Sequence, residues 1–310
     1  MEETIKRISD IFSFTERKLK KSELDEYDVK DEEKIDGRHA KDFFRMKSLG
    51  MLPFLKEVAR SKQFNYLTYF NDVLEEGIIP ENISVLIKRV SEREYAMAEV
   101  MSSKVMAFFG LNTPINFAVY TGKDEPTRHF LVSIDFISQN DIFDDLWNLY
   151  GIDVSLTDVV KYYREMMEEN KDFETISPEK IKLVENQLVL SLLVRTLLMG
   201  DTDFCIANVG IIVNDEKNDI ELVNFDFEES FNGKMVMKHQ VELFKDVRIN
   251  HPDVYDYFME KIYLLNSVKD KLNIEYYDES HKRLVANFFA RIGKIIEIHN
   301  QLNMDEHLPG

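Results

Sequence analysis

A hairpin flanked by acidic and amide residues is the feature that most constrains what this chain can fold into. Two β-like runs, 209–213 and 220–225, lie on either side of a polar turn. Asn208 precedes the first run and Asp226 follows the second, so an antiparallel hairpin brings both to its open end. Asp203 lies just before Asn208, and oxygen ligands gathered in this way suit Mg²⁺. The alternative is that these polar residues only cap turns by bonding their own backbone.

A lysine inside a strand of β-branched residues is the second informative feature. Lys88 lies in the run 83–90, which is otherwise rich in Ile, Val and Leu, and a buried charge there needs an anion. The next predicted helix, 92–109, ends at Gly110 and carries Glu99 near its middle. Protein kinases pair a strand lysine with a helix glutamate to hold nucleotide phosphates. The alternative is an outward-facing lysine on an edge strand, but the chain order of all these residues favours phosphoryl transfer.

Charge and composition exclude several classes of function. The 310 residues carry a net charge of -18, which opposes binding to a nucleic-acid backbone but not to a nucleotide whose charge is neutralised by metal. Cys205 is the only cysteine, so no intrachain disulfide forms and a reducing cytoplasm is expected. The charged start does not resemble a signal peptide. The most apolar run, 188–199, contains Arg195 and is too short for a membrane span, which predicts a buried helix and no membrane association.

The order of predicted elements indicates an α+β fold with two lobes. Apolar spacing turns helical from residue 41, strands are predicted at 64–70, 115–120 and 129–134, and helices at 156–170, 178–199 and through the tail 241–302. We expect a charged, helical N-terminal extension over 1–58. A β-rich N-lobe with one helix would follow over 59–137, and a mainly helical C-lobe carrying the hairpin would span 138–310.

Four segments in order form a further pattern, and they are GIIPENISVLIKRV (77–90), EVMSSKVMAFFGLNTP (99–114), LLMGDTDFCIANVGII (197–212) and ELVNFDFEES (221–230). Together they resemble the HipA-like kinases, which are the kinase subunits of bacterial toxin–antitoxin systems and their relatives. They are similar, in turn, to that family's lysine strand, glutamate helix, catalytic segment and metal-binding segment. The similarity spans residues 59–231 and implies a protein-kinase-like bilobal fold.

The resemblance also implies roles for five residues. Asp203 would be the catalytic aspartate that engages the substrate hydroxyl. Asn208 and Asp226 would ligate Mg²⁺. Lys88 would contact the phosphates of ATP, with Glu99 as its partner.

Two further parts of the nucleotide site follow from the same resemblance. Adenine would stack against a hinge at 132–136 that includes Asp135 and Phe136, and Lys62 would meet phosphate in a loop at 59–63. That loop has no glycine, which makes close approach of its backbone to phosphate harder. Cys205 stands where relatives carry a histidine, so two positions depart from the family pattern.

The sequence therefore predicts an ATP- and Mg²⁺-dependent serine/threonine protein kinase with a regulatory or toxin role. Its expected partners are a protein substrate and an antitoxin or other regulatory protein. Two alternatives stay open. One is a pseudokinase or scaffold that binds a partner, and the other is a kinase-fold enzyme that transfers AMP or phosphorylates a small molecule.

Overall fold

The computed structural model describes residues 2–19, 27–29, 41–46, 84–114, 116–121, 128–134, 177–201, 208–214, 219–231, 233–234, 236 and 238–305. The α-helices in these ranges are α1 (Glu2–Ile11), α2 (Arg93–Phe108), α3 (Pro178–Leu192), α4 (Lys238–Asn250), α5 (Pro252–Val268) and α6 (Glu279–Asp305). The strands are β1 (Glu16–Leu19), β2 (Tyr27–Val29), β3 (Lys41–Met46), β4 (Ser84–Val90), β5 (Asn116–Thr121), β6 (Arg128–Ile134), β7 (Val209–Asn214) and β8 (Asp219–Asn224). The fold is α+β, as predicted.

A mixed six-stranded sheet forms the first half of the fold. Its strand order is β1-β5-β6-β4-β3-β2, in which β1 and β5 are parallel and the other neighbours are antiparallel. Lys88 pairs with Lys41 on one side and with Leu131 on the other. Strand β4 is therefore an interior strand, and the alternative of an edge-strand lysine is wrong.

The helix predicted from residue 41 is wrong over its first six residues, which form strand β3. Within β3, Phe43 lies opposite Leu86 and Phe44 lies opposite Val85. Pairing with β4 satisfies the backbone polar groups of this segment and overrides its local helical spacing. The strand predicted at 64–70 and the helix predicted at 156–170 lie outside the described residues.

The first residues of the chain are part of the core. Ile8 and Phe12 are fully buried in the same hydrophobic cluster as the helices α2 and α6. The ammonium of Lys104, on α2, donates to the carbonyl oxygens of Asp10 at 3.1 Å and Ser13 at 2.6 Å. A lysine thus satisfies carbonyl groups at the C-terminal end of α1, where the helix dipole favours a cation.

Helix α3 carries the predicted buried run towards the hairpin. Ser177 caps its start by accepting from the Lys180 N–H, and Pro178 takes the first turn. The helix continues as a π-helical segment, Leu193–Met199, and stops at Gly200 with φ 64°. None of the described helices combines the length and the hydrophobicity that a membrane span requires.

The hairpin forms with the predicted antiparallel pairing. Strands β7 and β8 match Val209 with Asn224 near the open end and Asn214 with Asp219 at the turn. The N–H of Asn224 also donates to the Asn112 carbonyl at 3.0 Å, just beyond α2. This bond ties the hairpin to the end of the helix that carries Glu99.

Candidate functional site

Lys88 lies at the centre of a buried ionic cluster. Its Nζ is 3.3 Å from Glu99 Oε1, 2.7 Å from Asp226 Oδ1 and 2.6 Å from Glu228 Oε2. The lysine, Glu99 and Glu228 are each at most 5% exposed, and Asp226 is half-buried. Strand β4, helix α2 and the segment after β8 therefore meet at one ammonium group.

The three carboxylates keep Lys88 charged. Burial lowers the pKa of this lysine, but the charges of Glu99, Asp226 and Glu228 outweigh it and raise the pKa well above its usual range. Burial raises the pKa of Glu99, and the nearby Lys88 charge opposes that rise. One charged lysine is thus surrounded by three carboxyl groups, and a single positive charge cannot neutralise all three.

Polar neighbours fix the orientation of Glu99. The amide Nδ2 of Asn116, on β5, lies 3.5 Å from Glu99 Oε2 and donates to Ser103 Oγ at 2.8 Å. Ser103 in turn donates to the Glu99 carbonyl at 2.9 Å. These contacts hold the carboxylate toward the sheet, where Lys88 lies.

The backbone brings the two predicted metal ligands to the open end of the hairpin. The N–H of Phe225 donates to the Asn208 carbonyl at 3.1 Å. Asp226 follows Phe225 directly, so Asn208 and Asp226 lie close together at the open end of the hairpin. Asp226 has φ 61°, in the left-handed region that costs a non-glycine residue about 1 kcal/mol or more. Such a conformation persists only where surrounding contacts hold it.

Arg195 supplies several of those contacts. Its guanidinium is fully buried and bonds Asp201 Oδ2 through Nε at 2.9 Å and through an Nη at 2.6 Å. The same group donates to the carbonyl oxygens of Asn208 and Phe225, each at 3.0 Å, and of Asp226 at 2.7 Å. The guanidinium carbon also lies 4.5 Å from the centre of the Phe227 ring, on which the cation packs.

The donor chemistry of this site fits Mg²⁺. Carboxylate oxygens of Glu99, Asp226 and Glu228 lie within 4.8 Å of one another around Lys88, and the backbone of Asn208 lies at the same end of the hairpin as Asp226. Mg²⁺ prefers hard oxygen ligands of this kind. In proteins it is usually bound by one or two carboxylates, and water and substrate phosphates supply its other ligands. Asn208 and Asp226 are the residues that would hold it.

Several predicted site residues lie outside the described residues. These are the catalytic candidate Asp203, the phosphate-loop candidate Lys62, the hinge candidates Asp135 and Phe136, and Cys205. Their roles stay predictions. The described residues bring together Lys88, Glu99 and Asp226, with Asn208 beside them.

Glu228 and the role of Arg195 were not predicted from the sequence. Glu228 comes two residues after Asp226, and side chains at that spacing share a side of an extended segment. A lysine in an apolar strand needs compensating anions, and Glu228 is an acidic residue close to the predicted ligand Asp226. Arg195 is the one charged residue in the apolar run 188–199. Asp201 follows that run closely enough in the sequence to form an ion pair with Arg195.

The fold is similar to that of a solved kinase. No protein-family model and no curated protein sequence matches the chain. Among solved structures, the chain matches the crystal structure of a Helicobacter pylori proinflammatory kinase, CtkA, with a TM-score of 0.51 and 12% sequence identity. The match covers 91% of this chain and 98% of that one. At this identity the likeness establishes a kinase-like fold.

Proposed function

We propose that this chain is an ATP- and Mg²⁺-dependent phosphotransferase of the HipA-like kind, which phosphorylates a serine or threonine of a protein. The observation that carries the proposal is the buried Lys88, held between Glu99 and Asp226. Lys88 and Asp226 are 138 residues apart in the sequence and 2.7 Å apart in space. Protein kinases need these parts together because the cation, its helix partner and the metal-binding aspartate all act on the nucleotide phosphates. The kinase-like fold of the solved neighbour supports the same conclusion.

In this proposal the residues act by position and charge. Lys88 contacts the phosphates while Glu99 holds the lysine in place. Asn208 and Asp226 would hold Mg²⁺, which neutralises charge on the phosphates when it is bound. Asp203 orients the substrate hydroxyl and takes its proton, while the hydroxyl oxygen bonds to the γ-phosphorus and the bond to the ADP oxygen breaks.

The cellular role rests on the family resemblance alone. It leads us to propose a regulatory or toxin kinase of the cytoplasm, with a substrate in the translation machinery and an antitoxin or other regulatory partner. The net charge of -18 supports a protein rather than a nucleic acid as the macromolecular partner.

The direct test is to incubate the purified full chain with ATP and Mg²⁺, alone and with a cell lysate. Intact mass and phosphoproteomics then report any phosphate on the protein or on a lysate target. We expect phosphate with the native chain and none with Asp203→Ala. The matched control is Asp253→Asn, which alters an exposed carboxylate in the first turn of α5 and leaves activity unchanged.

The crowding of carboxylates around Lys88 favours one second candidate, a nucleotide-binding pseudokinase or scaffold. Three anions within reach of one lysine oppose the approach of a triphosphate. The same experiment separates the candidates, because a pseudokinase binds nucleotide without any gain of mass. A gain equal to AMP would indicate adenylyl transfer, and turnover only with small hydroxyl compounds would indicate a small-molecule kinase.

A further inference from the structure

We propose that Arg195 is a positioning residue that sets the geometry of the metal site by binding the main chain that carries the metal ligands. This inference rests on the proposed function and concerns the placement of Asn208 and Asp226. The bonds that Arg195 makes at Asn208, Phe225 and Asp226 end on main-chain carbonyl oxygens. It acts on the backbone that carries the ligands.

The hydrogen bonds of Arg195 use its full donor capacity. A guanidinium has five N–H groups, and the five bonds to Asp201, Asn208, Phe225 and Asp226 match them in number. Three of these bonds end on main-chain carbonyl oxygens at the open end of the hairpin. The planar group therefore sets the separation between the backbone at Asn208 and the backbone at Asp226.

The chain needs such a support at Asp226. Its left-handed backbone is held on one side by the Lys88 contact to its carboxylate and on the other by the Arg195 bond to its carbonyl. When a nucleotide engages Lys88, the first of these contacts weakens. The Arg195 bond then remains to keep the Asp226 carboxylate aimed at a metal ion.

Stability alone does not explain a fully buried arginine at this point. Removing a guanidinium from water costs several kcal/mol, and well-packed apolar residues often replace buried ion pairs without loss of stability. A lysine has three donors on a tetrahedral nitrogen and cannot span three carbonyl oxygens and a carboxylate in one plane. The arginine contributes a fixed arrangement of the two hairpin ends that neither replacement provides.

The chain offers a matched control in Arg291. This second arginine, on α6, is also buried, and it bonds the carbonyl oxygens of Thr196 at 2.8 Å and Leu197 at 2.6 Å in the same π-helical segment. Its other described partners are the Gly233 carbonyl and the Gln240 side chain, neither of which is a predicted metal ligand. Arg291→Lys therefore disturbs the same segment through bonds that end on other residues than Asn208 and Asp226.

The test measures metal binding rather than activity. Mn²⁺, which accepts the same oxygen ligands as Mg²⁺, is titrated into the full chain with a non-hydrolysable ATP analogue and followed by electron paramagnetic resonance. We expect Arg195→Lys to weaken Mn²⁺ binding about ten-fold or more, the loss typical of removing a group that orients a metal ligand. Arg291→Lys should stay within about two-fold of the native chain, with thermal unfolding recorded for both.

Each outcome decides the proposal. If both lysine variants keep native Mn²⁺ affinity, or lose it equally in step with stability, Arg195 is only structural and the inference is overturned. If Arg195→Lys does not fold, Asp201→Asn takes its place, because it weakens the two bonds between Asp201 and the Arg195 guanidinium. Its Mn²⁺ affinity is then compared with that of Arg291→Lys in the same way. If the folded native chain binds no Mn²⁺ with nucleotide, the proposed function fails and this inference falls with it.

Discussion

The Glu228 carboxylate lies 2.6 Å from the Lys88 ammonium, closer than the 3.3 Å between Lys88 and its helix partner Glu99. Lys88 is thus shared between helix α2 and the segment that follows the hairpin. Under the proposed function, nucleotide phosphates would compete with Glu228 for this lysine. The proposed site would then combine a lysine that binds phosphate with an internal anion that opposes phosphate.

Replacing Glu228 by glutamine is expected to strengthen nucleotide binding. Removing one charge near the phosphates should tighten the binding of ADP, measured without divalent metal by isothermal titration calorimetry, by about five-fold, or about 1 kcal/mol. The control is Glu260→Gln, which removes the same charge from an exposed position on α5. Weaker binding in Glu228→Gln would show instead that Glu228 helps to present Lys88.

Replacing Lys88 by methionine is expected to destabilise the fold. The change leaves Glu99, Asp226 and Glu228 without their shared cation, and uncompensated buried charge costs about 3–5 kcal/mol. Urea unfolding at neutral pH measures this loss. Lys88→Arg keeps the charge and should lose clearly less, so equal losses in the two variants would contradict the electrostatic explanation.

Replacing Gly200 by alanine is expected to disturb the turn before the predicted catalytic segment. Gly200 has φ 64°, and an added Cβ would lie 2.7 Å from the Arg291 guanidinium carbon. The backbone strain alone costs about 1–2 kcal/mol, and the contact adds to it. The free energy of unfolding from urea titrations measures the loss.

Gly293, inside α6, provides the opposite case. A Cβ added there meets nothing within 4 Å. Because alanine favours a helix interior more than glycine does, Gly293→Ala should raise stability by about 0.5–1 kcal/mol. If both alanine variants behaved alike, the strain assigned to Gly200 would be wrong.

The histidine at position 299 is expected to make stability depend on pH. Arg248 donates to Asn303 Oδ1 at 2.8 Å, which turns the Asn303 amide nitrogen toward His299 Nε2 at 2.9 Å. His299 Nδ1 lies 2.6 Å from the Tyr255 hydroxyl. In this network Nε2 accepts a hydrogen bond, so the neutral ring is the form that fits.

Burial, and after it the Arg248 charge, lower the pKa of His299. The unfolded chain then binds the proton more readily than the folded one as pH falls below about 6.5. The contribution of His299 to the free energy of unfolding is therefore fully present above that pH and is lost as the pH falls below it. The drop in unfolding free energy between about pH 7.5 and about pH 5.5 should be smaller in His299→Gln, while exposed His239→Gln should keep the native drop.

The sequence by itself determined the elements that carry the site. Strong β-branched runs indicated β4 and the hairpin, and Gly110 marked the end of the helix that carries Glu99, because these signals are local. The chain order of Lys88, Glu99, Asn208 and Asp226 was enough to suggest a kinase-like fold. Local spacing misled at β3, where only pairing with β4 decides between helix and strand.

Only the tertiary structure decided which charges meet. Lys88 is buried because β4 lies inside the sheet, and Glu228 reaches it because the segment after β8 folds back against α2. Arg195 finds the carbonyl oxygens of Asn208 and Asp226 only when the π-helical segment packs beneath the hairpin. Contacts between residues far apart in the sequence leave no periodic trace in it, because they depend on how the elements pack and not on the order of neighbouring residues.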